Sequence, residues 1–263
     1  MLKRVGIIVA GAFALWLVVL LVLGIALSSR QARRTQERLA ESLQAQVTLG
    51  DVDLALIRGR QTIESLSIKR DDTIGYMHVD VASVRCELAP LGWAIIDRDC
   101  RELAVRGVRI EVSTAALFKM QRPPKRKPVR TDHFVIDDAQ LVFLPSAFAP
   151  NLGRISISIE HAESGATVMR TPLSWLFGVK ELRAKFELPA GITVVVAYKD
   201  GMLTASGSLF GSTPVALPVE IPAADLAQDA HDEARLLMKL GTDIAERLVA
   251  KRAEDWLRSK LSP

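Results

Sequence analysis

Residues of the types that catalyse reactions or bind metals are few in this chain and lie far apart. None of its four histidines has a second ligand at the spacing of a metal-binding motif; they are His78, His133, His161 and His231. The adjacent carboxylates Asp71-Asp72 and Asp137-Asp138 are typical of turns and make a poor acid–base pair, because neighbouring strand residues point to opposite faces. The chain has no nucleophile elbow, P-loop or dinucleotide-binding glycine motif. We therefore expect no catalytic residues, no metal, no cofactor and no enzymatic activity.

The two cysteines, Cys86 and Cys100, are the remaining residues with distinctive chemistry. In a reducing compartment they are ordinary small core residues, whereas an oxidising compartment allows a disulfide between neighbouring strands. A disulfide requires a specific Cβ geometry that the sequence does not supply. The sequence leaves both states open.

The element that organises the chain is an uncharged apolar stretch near its start, Val5–Leu27. A helix of this length reaches about 34 Å, against a hydrocarbon core of roughly 30 Å. A cleaved signal peptide is the alternative, but its apolar region is usually only about 7–15 residues long. We predict a membrane-spanning helix over residues 5–27 after a cytoplasmic tail over residues 1–4.

Charge and composition restrict the partners. Two basic residues precede the apolar stretch and four follow it closely, so a simple count favours the body in the cytoplasm. Long domains translocate regardless of flanking charge, so this count leaves the orientation open. A net charge of +4 with 5% aromatic residues favours neither nucleic-acid binding nor base stacking. We expect a membrane lipid or a protein as partner, and no nucleic acid.

The period of the apolar residues divides the rest of the chain. Residues 28–46 are polar and predict a juxtamembrane helix. From Val47 to residue 222, apolar residues recur at every second position between Gly, Asp and Pro, which predicts antiparallel strands. Residues 119–130 are basic and proline-rich and predict a disordered loop, which also has the charge to contact anionic lipid. Residues 223–261 return to helical spacing and predict an amphipathic C-terminal helix that packs on the sheet or lies on a membrane or partner.

Three local patterns refine the strands. The alternation slips phase between Val81 and Val84, which predicts a bulge, and Asp200-Gly201 between apolar runs predicts a tight hairpin. The segment 102–112 predicts a hairpin or a sharply bent strand. The segment 133–144 repeats its pattern: Phe134 corresponds to Leu103, Ile136 to Val105, Leu141 to Ile110 and Phe143 to Val112.

Several of these stretches together resemble the AsmA-like family. The apolar segment and polar helix are followed by QAQVTLGDVDLALIRGRQTIESLSIKRDD and VDVASVRCELAPLGWAIIDRDCRELAVRGVRIEV. The crossover Pro90-Leu91-Gly92-Trp93, the strand Leu103–Val112 and the later segment HFVIDDAQLVFL are similar to the family's pattern of residue classes. The likeness covers residues 1–144 well and the remainder loosely.

The resemblance implies a curled β-sheet with an apolar inner groove, related to bridge-like lipid-transfer proteins. It also implies a single-pass anchor in the inner membrane of a Gram-negative bacterium, with the body in the periplasm. Longer members of that family span the envelope, and this chain has too little β-sheet for a single copy to do so.

We therefore expect a mainly β, α+β protein that binds or transfers phospholipid in envelope and outer-membrane biogenesis. The expected groove residues alternate along the strands: Val81, Leu103, Val105, Ile110, Ile136, Leu141, Ile157, Val194 and Val196. The same residues are also compatible with the core of a closed β-sandwich. The alternative function is a non-enzymatic structural or assembly factor that docks an envelope protein through the C-terminal helix.

Overall fold

The computed structural model describes residues 32–34, 36–37, 40–41, 44–55, 59–72, 75–88, 100–113, 129–145, 153–169, 173–222 and 230–261. The strands among these residues form a single 12-stranded sheet. The sheet is open and curled and does not close on itself. The alternative of two sheets packed face to face is therefore wrong for this part of the chain.

The strands of the first half are long. They are β1 Gln46–Thr48, β2 Val52–Ala55, β3 Arg60–Asp72, β4 Gly75–Glu87, β5 Cys100–Ser113 and β6 Val129–Leu144. Those of the second half are β7 Ile155–Ser164, β8 Thr167–Met169, β9 Val179–Leu188, β10 Ile192–Lys199, β11 Met202–Gly207 and β12 Gly211–Pro218. Short 3₁₀ helices precede β9 and β10, at Ser174–Gly178 and Pro189–Gly191, and the C-terminal helix α1 spans Ala230–Leu261.

The order of the strands across the sheet is β1-β3-β4-β5-β6-β7-β9-β10-β11-β12. All of these pairs are antiparallel except β5 and β6, which pair in parallel, so the prediction of a wholly antiparallel sheet is wrong. A parallel pair requires a connection of a dozen or more residues. The proline-rich basic segment lies in the connection that provides this length, residues 114–128.

The internal repeat is the register of that parallel pair. Leu103 lies beside Phe134 and Val105 beside Ile136, and the same offset brings Ile110 beside Leu141 and Val112 beside Phe143. Two parallel strands with the same apolar pattern, aligned without offset, place these matching apolar side chains of both strands on one face. The repeat therefore marks neighbours within one sheet.

A crease crosses the sheet. In β3 and β4, Glu64 pairs with Ser83 and Leu66 with Val81, which leaves Ser65 opposite Ala82 without a regular pair. The same interruption recurs at one level in each successive strand, at Gly50, Ser65, Ala82, Gly107, Asp138 and Glu160. Ser65, Gly107 and Asp138 have φ values of 56°, 60° and 56°. Each interruption adds one residue between inward-facing positions, as between Val105 and Val108, so the apolar phase changes at the crease.

Several predicted boundaries and turns are confirmed or corrected by these strands. Leu103–Val112 lies within one strand that bends at Gly107, so the bent strand is correct and the hairpin is wrong. Asp200 and Gly201, with φ values of 49° and 80°, form the predicted tight turn between β10 and β11. Asp71 and Asp72 end β3 and Asp137 and Asp138 lie within β6, so neither pair is a turn.

The predicted terminal and loop segments are described only in part. Residues 1–4, the apolar stretch Val5–Leu27 and residues 119–128 of the basic loop lie outside the described residues. Val129 and Arg130 pair with β8, so the predicted loop extends two residues too far. Residues 32–34, 36–37 and 40–41 are helical, whereas Gln46 already belongs to β1. Of the helices in the described ranges, none combines the length and apolarity needed to cross a bilayer.

Candidate functional site

All of the predicted groove residues lie on one face of the sheet, which we call the inner face. Leu103, Val105, Ile136, Val194 and Val196 belong to one apolar cluster, the main core. Ile110 and Leu141 belong to a second cluster, the minor core, on the other side of the crease. Val81 pairs with Leu66, and Ile157 pairs with Leu141. Leu66 and Leu141 belong to the minor core, and residues paired directly across two strands share a face. The strand register places these residues on one face; that they form a lipid-binding groove stays a prediction.

The main core is covered by elements outside the strands. The 3₁₀ helix Ser174–Gly178 places Trp175 against Phe134, with ring centroids 6.0 Å apart, and α1 packs Leu240, Ile244 and Leu248 against the same cluster. Leu203, Val215 and Leu217 beneath them are buried. This part of the inner face is a closed protein core.

The minor core has much less cover. Its buried residues are Val47, Ile68, Met77 and Val112, and among the described residues Ala40 and Ala45 of the N-terminal part pack against it. The apolar side chains between them are only partly buried, namely Leu66, Val79, Ile110, Leu141 and Phe143. We call this group, with Ile157, the open panel. It is the part of the inner face in which the described residues leave apolar side chains accessible.

A buried polar contact joins the start of α1 to the 3₁₀ helix that covers the main core. The Ser174 hydroxyl donates to the Glu233 carboxylate, 2.8 Å from Oε1 and 2.9 Å from Oε2. Ser174 is 0% exposed and Glu233 is 1% exposed, and the Thr167 hydroxyl donates to the Ser174 carbonyl at 3.2 Å. No sequence pattern predicts this contact. Ser174 and Glu233 are far apart in the chain, and neither belongs to a motif.

The outer face of the same strands is charged and largely internally paired. Arg106 lies 3.3 Å from Asp137, and Asp137 lies 2.8 Å from His161 on the next strand. His78 lies beside Asp80 at 2.9 Å and His133 beside Glu163 at 3.1 Å, while His231 lies in the first turn of α1. Each predicted lone histidine whose side chain is described therefore has a carboxylate neighbour on the outer face.

Cation contacts on this face lower the pKa of two carboxyls. The hydrogen bond from Lys199 to Glu181, at 3.2 Å, is the main cause that lowers the pKa of Glu181 below its ordinary value of 4.5. The Lys185 ammonium, 2.6 Å away, does the same for Glu187. Near the start of β4, burial and then the nearby Glu111 carboxylate raise the pKa of Tyr76. These groups are exposed or lie at strand ends, and the arrangement stabilises charge on the outer face.

The structure joins Cys86 and Cys100 in a disulfide, with Cα atoms 5.4 Å apart. Cys86 lies near the end of β4 and Cys100 begins β5. The bridge therefore closes the connection between two neighbouring strands beside the inner face. Within the described ranges, no group of three or more His, Cys, Asp or Glu residues is arranged to hold a metal ion.

Comparison with known proteins gives no family for this chain: no family model matches it, and no curated protein matches it. The geometry of the inner face indicates what it can bind. An accessible apolar panel on a curled sheet, with charge confined to the opposite face, suits a long apolar guest.

Proposed function

We propose that this protein binds phospholipid acyl chains on the open panel of its inner face and carries lipid as a membrane-anchored, AsmA-like protein. The observation that carries the proposal is the open panel itself. Leu66, Val79, Ile110, Leu141 and Phe143 lie together on one face, and none is fully buried. Soluble proteins rarely leave such a surface without an occupant.

The energetics favour an acyl chain over a polar ligand. Transfer of a methylene group from water to an apolar surface contributes about 0.8 kcal/mol, so several methylene groups along the panel give useful affinity without any directed hydrogen bond. The panel carries no charged side chain among the residues that define it. A phospholipid satisfies this geometry if its chains lie on the panel and its head group remains in water.

The proposed location follows from the anchor and the cysteines. We propose an inner-membrane protein whose body lies in the periplasm, with Val5–Leu27 as the anchor. The Cys86–Cys100 disulfide supports this side of the membrane, because structural disulfides persist in oxidising compartments.

The test is site-specific photocrosslinking of radiolabelled phospholipid in cells and in the detergent-extracted protein. The photoreactive residue is placed at Ile110 of the open panel and, for comparison, at Val105 of the closed main core. The matched controls on the outer face are Arg109, which precedes Ile110, and Arg106, which follows Val105; both are exposed. We expect lipid adducts at Ile110 and few at Val105, Arg106 and Arg109. Equal labelling on both faces, or lipid-free protein by mass spectrometry, would contradict the proposal.

A further inference from the structure

The C-terminal helix has two apolar sides that do not coincide. Leu240, Ile244 and Leu248 face the main core at a spacing of four residues. Val249 is 69% exposed and Leu257 is 50% exposed. At roughly 100° per residue, Val249 lies on the side of the helix opposite Leu240, and Leu257 is about 80° from Val249. The last turns of α1 therefore present apolar side chains away from the sheet.

A stripe at four-residue spacing defines this second side. Its members are exposed small or apolar residues, and we call them the distal stripe: Ala245, Val249, Ala253 and Leu257. On the docked side, the position three residues after Leu248 is Lys251, about 160° from Val249 around the helix. Arg252 lies between the two sides, about 60° from Val249. The exposed apolar side chains Val249 and Leu257 therefore lie on a side of the helix that does not face the sheet.

We infer that the distal stripe lies on the surface of an anionic bilayer. The segment after Leu248 carries four basic residues, Lys251, Arg252, Arg258 and Lys260, against two acidic ones, Glu254 and Asp255. Of the basic residues whose side chains are described, Arg252 lies beside the stripe, about 60° from Val249 around the helix. A helix with an apolar side and flanking basic residues lies in the plane of an anionic membrane, because apolar burial and charge attraction add.

The size of the stripe favours a bilayer over a protein. A stable protein interface buries roughly 800 Å² on each partner, which usually takes 20–30 residues a side. The stripe has two alanines and two larger apolar side chains on one side of a helix, so it falls well short of that area. A bilayer needs no complementary surface of that size, and attraction of basic residues to anionic lipid adds to the small apolar area that the stripe buries. This contact is independent of whether the open panel carries lipid.

The test uses the full chain in nanodiscs that contain phosphatidylglycerol and a head-group-proximal doxyl quencher. A single environment-sensitive dye is attached after Val249→Cys or Leu257→Cys; the native cysteines are occupied in their disulfide. Two controls carry the same dye. Glu254→Cys lies in the same segment about 140° from Val249, and Arg235→Cys lies near the start of α1, where the side chain is 73% exposed.

We expect strong quenching at Val249 and Leu257, weak quenching at both controls, and weaker quenching throughout in pure phosphatidylcholine or in high salt. Leu257→Asp should reduce quenching of the Val249 dye to the level of the Glu254 control, while circular dichroism remains unchanged. Equal quenching at all positions would overturn the inference. A dye response that depends on protein concentration and not on lipid would also overturn it, because it identifies a second copy or a partner protein as the occupant.

Discussion

At the scale of single residues, the contact between Ser174 and Glu233 joins the start of α1 to the 3₁₀ helix Ser174–Gly178. A buried carboxylate is costly unless it is hydrogen-bonded, and the Ser174 hydroxyl lies within 2.9 Å of both of its oxygens. Such contacts often contribute more to the uniqueness of a packing arrangement than to its stability. We interpret this one as the feature that sets the position of α1 along the main core.

Ser174→Ala should destabilise the protein by about 1–3 kcal/mol, because it leaves a buried acceptor without this donor. Urea unfolding followed by circular dichroism measures the change. The control is Arg235→Ala, which removes an exposed pair with Asp232 on the same helical turn and should cost less than about 0.5 kcal/mol. Equal effects of the two substitutions would show that the buried contact has no special role.

Lys199→Met tests the electrostatics of the outer face. The hydrogen bond from Lys199 lowers the pKa of Glu181, so the variant should raise that pKa toward 4.5. A carboxyl with a lowered folded-state pKa stabilises the fold above its unfolded pKa and loses this effect as the pH falls through the folded pKa. The variant should therefore differ from wild type at neutral pH and converge with it in acid. Side-chain NMR titration measures the pKa, and Lys185→Met, which acts on Glu187, is the control.

The side-chain pattern predicts which residues share a face but not which distant residues meet. Alternation places Val105, Ile136 and Val194 each on the apolar side of its own strand, whatever the order of the strands in the sheet. The Ser174–Glu233 contact depends on how a helix near the C-terminus crosses the sheet, and no local pattern encodes that crossing. The sequence also gives no sign that one panel is covered and the other is open, because both have the same alternation.

At the scale of the elements, the crease explains why the inner face divides into two panels. Gly107 has a φ of 60°, and a Cβ atom at this position would lie 2.7 Å from the Cβ of Ala82 on the neighbouring strand. The space therefore requires glycine at this position, and the left-handed backbone favours it. On either side of this row, the strands present Val105 and Val108 to the same face, which bends the sheet around its apolar side.

Gly107→Ala should destabilise the protein by more than the roughly 1 kcal/mol cost of a left-handed alanine, because the clash with Ala82 is added to it. The double variant Gly107→Ala with Ala82→Gly should recover the part due to the clash. Gly201→Ala is the control for backbone strain alone, since Gly201 has a φ of 80° and no atoms within 4 Å of the added Cβ. Thermal unfolding compares the variants, and no recovery in the double variant would refute close packing at the crease.

Part of the crease is predictable from the sequence. The phase slip between Val81 and Val84, and the pairs of turn-like residues at Arg106-Gly107 and Asp137-Asp138, are its local signs. Their alignment into one row depends on strand order and register, which no single strand specifies. For this reason Asp137-Asp138 was predicted as a turn, although the chain continues through it as one strand.

At the scale of the whole molecule, the sequence predicts a mainly β body and a C-terminal helix but gives the wrong direction for one strand pair. Alternation is the same for parallel and antiparallel neighbours, so it carries no information on direction. The repeat between residues 102–112 and 133–144 did contain that information. Two similar segments joined by a long polar connection place like residues side by side only when the strands run parallel.

The disulfide links the fold to the compartment in which it forms. Cys86 and Cys100 are separated by 14 positions, and closing a loop of about 15 residues stabilises a protein by about 3 kcal/mol. Reduction should therefore lower the free energy of unfolding by about this amount, and the double variant Cys86→Ala with Cys100→Ala should be equally weakened but insensitive to reductant. Protein isolated without reductant should show no titratable thiol in denaturant. Reactive thiols in that sample would contradict both the bridge and an oxidising location for the body, because the two claims rest on the same bond.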